Sequence, residues 1–369
     1  MYKSDSMKIT DIKAHLLKPH LDNYWHSLQY RYYFALVRVF TDEGVTGDYI
    51  LSTEVSRTGL SELEEQLNQM KPFIIGRDAY DREGIMATLA QRFTFHKHGL
   101  VISSIDIALW DIAGKAAGLP IYKLLGGSRD KMPAYASQTP MHDNVTIEEM
   151  VEEILELRAK GFKAYKLHPP YGTVEKDIEA CQAAREAVGD TMTLFHDPIA
   201  AYDRRGALVV GREIEKLNYY WYEAPIPGND ITGYVELRRK LDIPLAVEIV
   251  DYYYDIIKAG AIDILKAMGD ISGGITDMKK SADLCELARI KWEPHNYGST
   301  LCQAAHFHVS LATYNCDFYE LPVPEGIYDV GMKDRIGIDA DGNVPAPTKP
   351  GLGYDVDWDA IDNLTDRVV

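Results

Sequence analysis

A set of polar residues stands at the ends of short apolar runs, and their spacing is what points to chemistry in this sequence. Lys166 and His168 close the run Ala164–Leu167. Asp197 follows Met192–Phe195, Glu223 follows Tyr219–Tyr222, and Glu248 follows Pro244–Val247. His295 comes after Ile290–Trp292, and Glu320 belongs to the last run, Phe318–Leu321. The steps from Asp197 to Glu223, from Glu223 to Glu248 and from His295 to Glu320 are each about 25 residues, the length of one strand–helix unit in an eightfold α/β barrel. Side chains spaced in that way come round to one mouth at the C-terminal ends of the strands. Three carboxylates meeting there repel one another unless a proton or a cation intervenes. Hard oxygen donors from Asp197, Glu223 and Glu248, with no cysteine beside them, suit Mg2+, which keeps its other positions for water or substrate. Any one of these acids also reads as a solvated loop residue or a lysine's partner. The three together, at barrel spacing, favour a metal.

Residues two apart on a strand face the same way, so Lys166 and His168 both face the mouth. With an ordinary pKa near 6.5, a histidine there can serve as acid or base near neutrality, or only hydrogen-bond a substrate hydroxyl. Lys163 points elsewhere, and His196 alternates away from the mouth into a structural role. Lys266 faces the barrel interior, where it either pairs with a metal carboxylate or reaches the substrate.

Two regions supply these positions. Ile9–Leu17 and Tyr32–Phe40 read as strands, with a turn at Asp42-Glu43-Gly44, and Glu62 to Ala117 reads as helical up to the stop signal Gly118-Leu119-Pro120. Strands followed by a block of helices imply a separate α+β domain over residues 1–128, joined at Gly126-Gly127. From there strand-like runs alternate with helical stretches such as Ile147–Lys160 and Val174–Val188, a pattern that predicts a parallel α/β barrel over residues 129–340. Residues 341–369, rich in Pro, Gly and Asp, are expected to pack back on the first domain.

Composition narrows the function classes. The 369 residues are 46% hydrophobic, ample for a sizeable core. No run nears the roughly 18 apolar residues of a membrane span, and the mixed, charged start lacks the apolar stretch of a secretory signal. Cys181, Cys285, Cys302 and Cys316 lie far apart, as in reduced proteins of the cytoplasm. A formal net charge of −17 argues against nucleic acid as a partner. A carboxylate substrate would need a bound cation or a local basic cluster to reverse that field.

The phrase Ser103-Ser104-Ile105-Asp106-Ile107-Ala108-Leu109-Trp110-Asp111-Ile112-Ala113-Gly114-Lys115, running through Gly118-Leu119-Pro120 to Leu124-Leu125-Gly126-Gly127, resembles the end of the capping domain of the enolase superfamily. The resemblance, to its mandelate racemase-like branch, continues through Gly161-Phe162-Lys163-Ala164-Tyr165-Lys166, Tyr222-Glu223-Ala224-Pro225, Gly273-Gly274-Ile275-Thr276, Glu293-Pro294-His295 and Glu320-Leu321-Pro322. It implies a modified TIM barrel, (β/α)7β, under an N-terminal α+β cap. It also implies that Asp197, Glu223 and Glu248 hold Mg2+ and that the proton alpha to a carboxylate is removed through an enediolate. Lys166 then corresponds to the group that neutralises the substrate carboxylate, and His295 to a histidine on the opposite face of the substrate from His168. Glu320 corresponds to an acid that, when protonated, hydrogen-bonds the substrate carboxylate.

Two departures stand out. The aspartate that normally orients the seventh-strand histidine falls on Met268, leaving Glu293 and Asp270 as possible substitutes. Ile199 stands where many relatives have asparagine. Cap loops select the substrate in this family, and the corresponding stretches here are His20 to His26, with His20, Tyr24, Trp25 and His26 as binding groups, and Phe93 to His98. Aromatic bodies with polar tips suit a small polyhydroxylated ligand. The expected reaction is dehydration of an acid sugar, an aldonate or aldarate, to a 2-keto-3-deoxy acid. Racemisation or epimerisation of a 2-hydroxy acid and lactone cycloisomerisation are the alternatives, and a non-catalytic binding protein on the same scaffold is a remote one. Barrels of this type commonly associate, so a homo-oligomer is expected.

Overall fold

Period-two burial and glycine-marked turns organise the first domain. The computed structural model describes residues 6–18, 33–53, 58–93, 95–138, 145–169, 173–249 and 253–369. Strands β1 (Ile9–Leu17), β2 (Tyr33–Thr41) and β3 (Thr46–Thr53) form an antiparallel meander. Buried Ile9, Ile12, Ala14 and Leu16 turn one face of β1 to the core. Helices Thr58–Met70, Arg82–Arg92 and Phe95–Ala117 follow. The last is apolar nearly all round and lies against β3 and the barrel helix Gly274–Ala288. Its acids are tied down: Asp106 accepts from the Thr276 N–H at 2.9 Å, and Asp111 from the Asp48 N–H at 3.0 Å and the Leu352 N–H at 2.9 Å.

The barrel strands are β4 (Lys131–Gln138), β5 (Ala164–Leu167), β6 (Thr193–His196), β7 (Trp221–Glu223), β8 (Leu245–Glu248), β9 (Ile264–Ala267), β10 (Lys291–Pro294) and β11 (Tyr319–Val323). They pair in parallel in the order β10-β9-β8-β7-β6-β5-β4-β11. No ladder joins β10 to β11 among the described residues, and side chains close that seam. Glu293 accepts from the N–H groups of Asp317 at 2.8 Å and Phe318 at 3.2 Å, while Asn296 Nδ2 donates to Glu320 O at 2.9 Å. Buried unpaired strand-edge groups are costly, so this stitching stabilises the closure. The tail contributes β12 (Asn343–Pro345), antiparallel to β4, and β13 (Thr365–Val368), antiparallel to β1.

Inside the barrel, inward positions alternate along each strand and form layers. Tyr135, Ala164, Phe195, Trp221, Ala246 and Ile264 make an apolar floor, with Phe195 stacked on Trp221 at 3.9 Å between ring centroids. Two residues further along the same strands come Ser137, Lys166, Asp197, Glu223, Glu248 and Lys266. The floor is thus dry aromatic packing and the next layer up is charged.

His308, on the helix Thr300–Leu311, ties the joint between domains to the tail. Its Nδ1 accepts from the Tyr122 N–H at 3.1 Å and its Nε2 donates to Leu352 O at 3.1 Å, which fixes a neutral tautomer. Burial pushes its pKa down to about 4. Because the folded value lies below the unfolded one, its contribution is present above pH 6.5 and is lost as pH falls toward 4, by about 3 kcal/mol in all. Asp106 and Glu293, both pushed up to about 7 by burial, act in the opposite sense, so the readout is a difference between two proteins. In urea titrations His308→Gln is expected to be less stable than the parent at pH 8, with the gap shrinking between pH 6.5 and 4. A gap constant across pH would show that the ring does not titrate against folding.

Candidate active site

The charged layer converges as its spacing predicts. Oxygen atoms of Asp197, Glu223 and Glu248, from the ends of β6, β7 and β8, lie within 4.8 Å of one another. Lys166 of β5 is fully buried beside them, its Nζ 3.2 Å from Asp197 Oδ2, 3.1 Å from Glu223 Oε1 and 2.7 Å from Glu320 Oε1. Burial would drive the proton off this ammonium, but Glu223 and Glu320 hold it on firmly. Burial likewise opposes the charge on Asp197, and Lys166 and His168 overcome it, holding that carboxyl well below its usual range.

Glu248 differs. Burial, then the charges of Asp197 and Glu223, push its carboxyl well above the usual range, although part of it reaches solvent. Lys166, with Lys266 3.8 Å from Glu223 Oε1 and both also paired with Glu320, therefore does not balance the trio. A divalent cation among the three oxygens would, and the hard oxygen donor set fits Mg2+.

Two imidazoles flank the trio. His168 Nε2 lies 3.1 Å from Asp197 Oδ2, and His295 Nε2 lies 3.4 Å from Glu248 Oε1. With its Nε2–H directed at Asp197, His168 carries its free lone pair on Nδ1, whereas His295 meets Glu248 only as a 3.4 Å contact that does not fix its tautomer. Neither Nδ1 has a hydrogen-bond partner among the described residues. Neither Glu293 nor Asp270, the substitutes suggested for the missing aspartate, therefore hydrogen-bonds His295 Nδ1. Glu293 sits lower, at the β10–β11 seam, with its oxygens taken by Asp317 and Phe318. Met268 follows β9 as the alignment of motifs requires, and it offers no acceptor.

What holds His295 instead is Tyr297, which sequence reasoning missed. Its ring stacks on His295 at 5.3 Å and 22°, stands edge-on to His168 at 6.3 Å, and is pinned by a 2.7 Å hydrogen bond from its hydroxyl to Gln138 O. The period-two rule applied one step beyond His295 was the available signal.

Glu320 is surrounded by donors: Ser137 Oγ at 2.7 Å, the Asn296 N–H at 3.1 Å, Lys166 and Lys266. Burial alone would raise it, but Lys166, then Lys266 and His295, hold it ionised, well below the carboxylate range. Lys266 is likewise fully buried, donating to Tyr135 Oη at 2.7 Å and Pro294 O at 2.9 Å. Lys166, Lys266 and Glu320 are thus fully buried and paired with one another. His196, turned away as expected, packs among Tyr202, Tyr219 and Tyr222, and burial lowers its pKa to about 3.

Ile199 and Ala200 adopt left-handed backbone, φ 52° and 57°. A β-branched residue rarely tolerates this conformation and an asparagine does so readily. The Ile199 N–H donates to Asp197 Oδ1 at 3.0 Å, so the strained turn orients that carboxylate. His20, Tyr24, Trp25 and His26 lie outside the described residues. Of the second cap stretch, Phe93 packs against Phe73 and His98.

Comparison with known proteins shows the family. Residues 22–126 match the mandelate racemase / muconate lactonizing enzyme N-terminal domain, and residues 149–360 match the enolase C-terminal domain-like family. The chain is 32% identical to the arabinonate dehydratase of Saccharolobus solfataricus, over 71% of this chain and 72% of that protein. It is 30% identical to the D-galactarolactone cycloisomerase of Agrobacterium fabrum, over 96% and 98%. The crystal structure of D-glucarate dehydratase from Agrobacterium tumefaciens complexed with magnesium superposes with a TM-score of 0.84 at 32% identity, covering 98% of this chain and 100% of that one. The chain belongs to the mandelate racemase-like branch of the enolase superfamily.

Proposed function

We propose that this protein is a magnesium-dependent acid-sugar dehydratase, converting an aldonate or aldarate to a 2-keto-3-deoxy acid. The observation that carries the reading is the pair of imidazoles set on Asp197 and Glu248 at either side of the carboxylate trio, each with Nδ1 free. Dehydration needs one base and one acid, and the site offers both. The dehydratase relatives support the same chemistry.

Asp197, Glu223 and Glu248 would hold the metal. When bound, Mg2+ stabilises the negative charge that develops on the substrate carboxylate as its alpha proton leaves. His168, with its tautomer fixed by Asp197, takes that proton on Nδ1. His295, lacking an orienting aspartate and held by Tyr297, would enter the step as the imidazolium, give its Nδ1 proton to the departing C3 hydroxyl, which leaves as water, and take a proton back from solvent. Lys166 and Lys266 act from within the same layer: Lys166 keeps Asp197 and Glu320 ionised and in place, and Lys266 adds to the hold on Glu320. The aromatic floor excludes water from beneath, which strengthens every interaction in the layer above.

The test is proton NMR in D2O with Mg2+ against a panel of aldonates, aldarates and their lactones. A 2-keto-3-deoxy product from any member establishes the dehydratase. Deuterium entering C2 without loss of water would make the protein an epimerase or racemase, and ring opening of a lactone alone would make it a cycloisomerase; either result replaces the proposal.

A further inference from the structure

Behind His295, where the cap meets the barrel, a second group of ligand-type side chains converges that the reaction does not use. Asp270 comes from the short helix Gly269–Ser272 after β9. Cys302 and His306 stand four residues apart on the helix Thr300–Leu311, and so share one face. Their ligand atoms lie within 4.8 Å of one another. Cys302 and His306 are buried, as is Tyr49 of β3, whose hydroxyl rests against the Cys302 thiol.

The state of His306 is already that of a metal ligand. Asn296 donates through Nδ2 to Glu320 O, so its Oδ1 is the acceptor that faces His306 Nδ1 at 2.9 Å. Nδ1 therefore carries the hydrogen, and the lone pair is on Nε2. That atom is buried and makes no hydrogen bond among the described residues. A histidine that donates one ring N–H to a fixed acceptor and offers the other nitrogen is the usual outer-sphere arrangement of metal-binding imidazoles. Burial also keeps the ring neutral, its pKa lowered to about 3.

We infer that Asp270, Cys302 and His306, with the Tyr49 hydroxyl completing the set, form a second divalent-metal site of the zinc class, distinct from the magnesium trio. One nitrogen, one sulfur and carboxylate oxygen select a borderline-soft ion over Mg2+, which prefers oxygen alone. Charge closes as well: a carboxylate and a thiolate neutralise a dication, leaving no net charge buried. On binding, the Cys302 S–H bond breaks, its proton passes to solvent, and sulfur bonds the metal. The ion would staple β3 of the cap to the two barrel elements that lead from β9 and β10, and half-buried Asp270 gives it a way in.

The test uses the full chain, freed of metal and titrated with Co2+ in excess Mg2+. The expected result is a thiolate-to-cobalt charge-transfer band in the near ultraviolet, saturating at one equivalent, with the visible bands of a tetrahedral ion. Cys302→Ser should abolish the charge-transfer band, and His306→Gln should weaken binding at least about tenfold, since losing even an outer-shell partner costs about that much. Glu223→Gln should leave the band intact. As a second measurement, Zn2+ should raise the thermal midpoint of the parent and not of Asp270→Asn. Absence of the band, its survival in Cys302→Ser, or its loss in Glu223→Gln would overturn the site.

Discussion

Lys166→Met is expected to bind Mg2+ more tightly than the parent while losing turnover by at least about 10³-fold and apo stability by about 3–5 kcal/mol. The three effects share one cause. The Lys166 ammonium is fully buried, within 3.2 Å of Asp197, Glu223 and Glu320. Methionine keeps the volume and removes the charge. Breaking a buried ion pair leaves uncompensated carboxylates, at a cost of about 3–5 kcal/mol. The same ammonium repels a dication held by Asp197 and Glu223. At about 4 Å in a medium of intermediate polarity two unit charges interact by roughly 4 kcal/mol, so even a screened fraction exceeds the 1.4 kcal/mol of a tenfold affinity change. Turnover falls because the carboxylates lose the fixed geometry on which electrostatic stabilisation depends. Urea unfolding with and without Mg2+, together with calorimetric titration, reads all three. The metal should restore more stability to the variant than it gives the parent. Unchanged or weaker Mg2+ binding in a folded Lys166→Met would show that the ammonium does not compete for the trio.

The sequence showed the positions of this site better than it showed their heights and charges. Period two and the recurring step of about 25 residues put Lys166, Asp197, Glu223 and Glu248 on one inward layer, because both rules follow from backbone geometry alone. Strand β4 escaped notice, and with it Ser137 and Tyr135. Its sequence, Lys131–Gln138, carries a proline and ends in polar residues, so it lacks the apolar run that marked the others. Glu293 shares its inward face with His295, and spacing could not reveal that it lies one layer lower, where the N–H groups of Asp317 and Phe318 need acceptors. The charge on Glu320 is not legible in the sequence for a related reason. It is set by Lys166 and Lys266, which arrive from β5 and β9, and only the closed barrel brings them together. Ile199 was visible as a departure, but its meaning, a strained turn that aims Asp197, needed the backbone angles.

The two histidines should separate when proton removal and water loss are measured independently. His168→Asn is expected to lose both deuterium exchange at C2 and formation of the keto acid. His295→Asn should keep the exchange and lose the keto acid, each loss being about 10²–10⁴-fold, the usual scale for a positioned acid or base. Asparagine keeps a polar amide beside Asp197 or Glu248 while removing the ring nitrogen that moves the proton, so the metal carboxylates stay in place. The asymmetry rests on the surroundings of each ring. His168 is buried and has its Nε2 proton committed to Asp197, which fixes the lone pair on Nδ1 for incoming substrate. His295 is more exposed, faces Glu248, and is held by the stacked ring of Tyr297 in place of an aspartate. Tyr297→Leu should therefore resemble His295→Asn in part, keeping C2 exchange while slowing water loss, and Tyr297→Phe should retain most of the activity because stacking survives. If His295→Asn instead stops exchange while His168→Asn permits it, the roles are reversed. If both variants stop exchange, the imidazoles work on both faces of C2, the arrangement an epimerase requires, and dehydration ceases to be the best reading of the site.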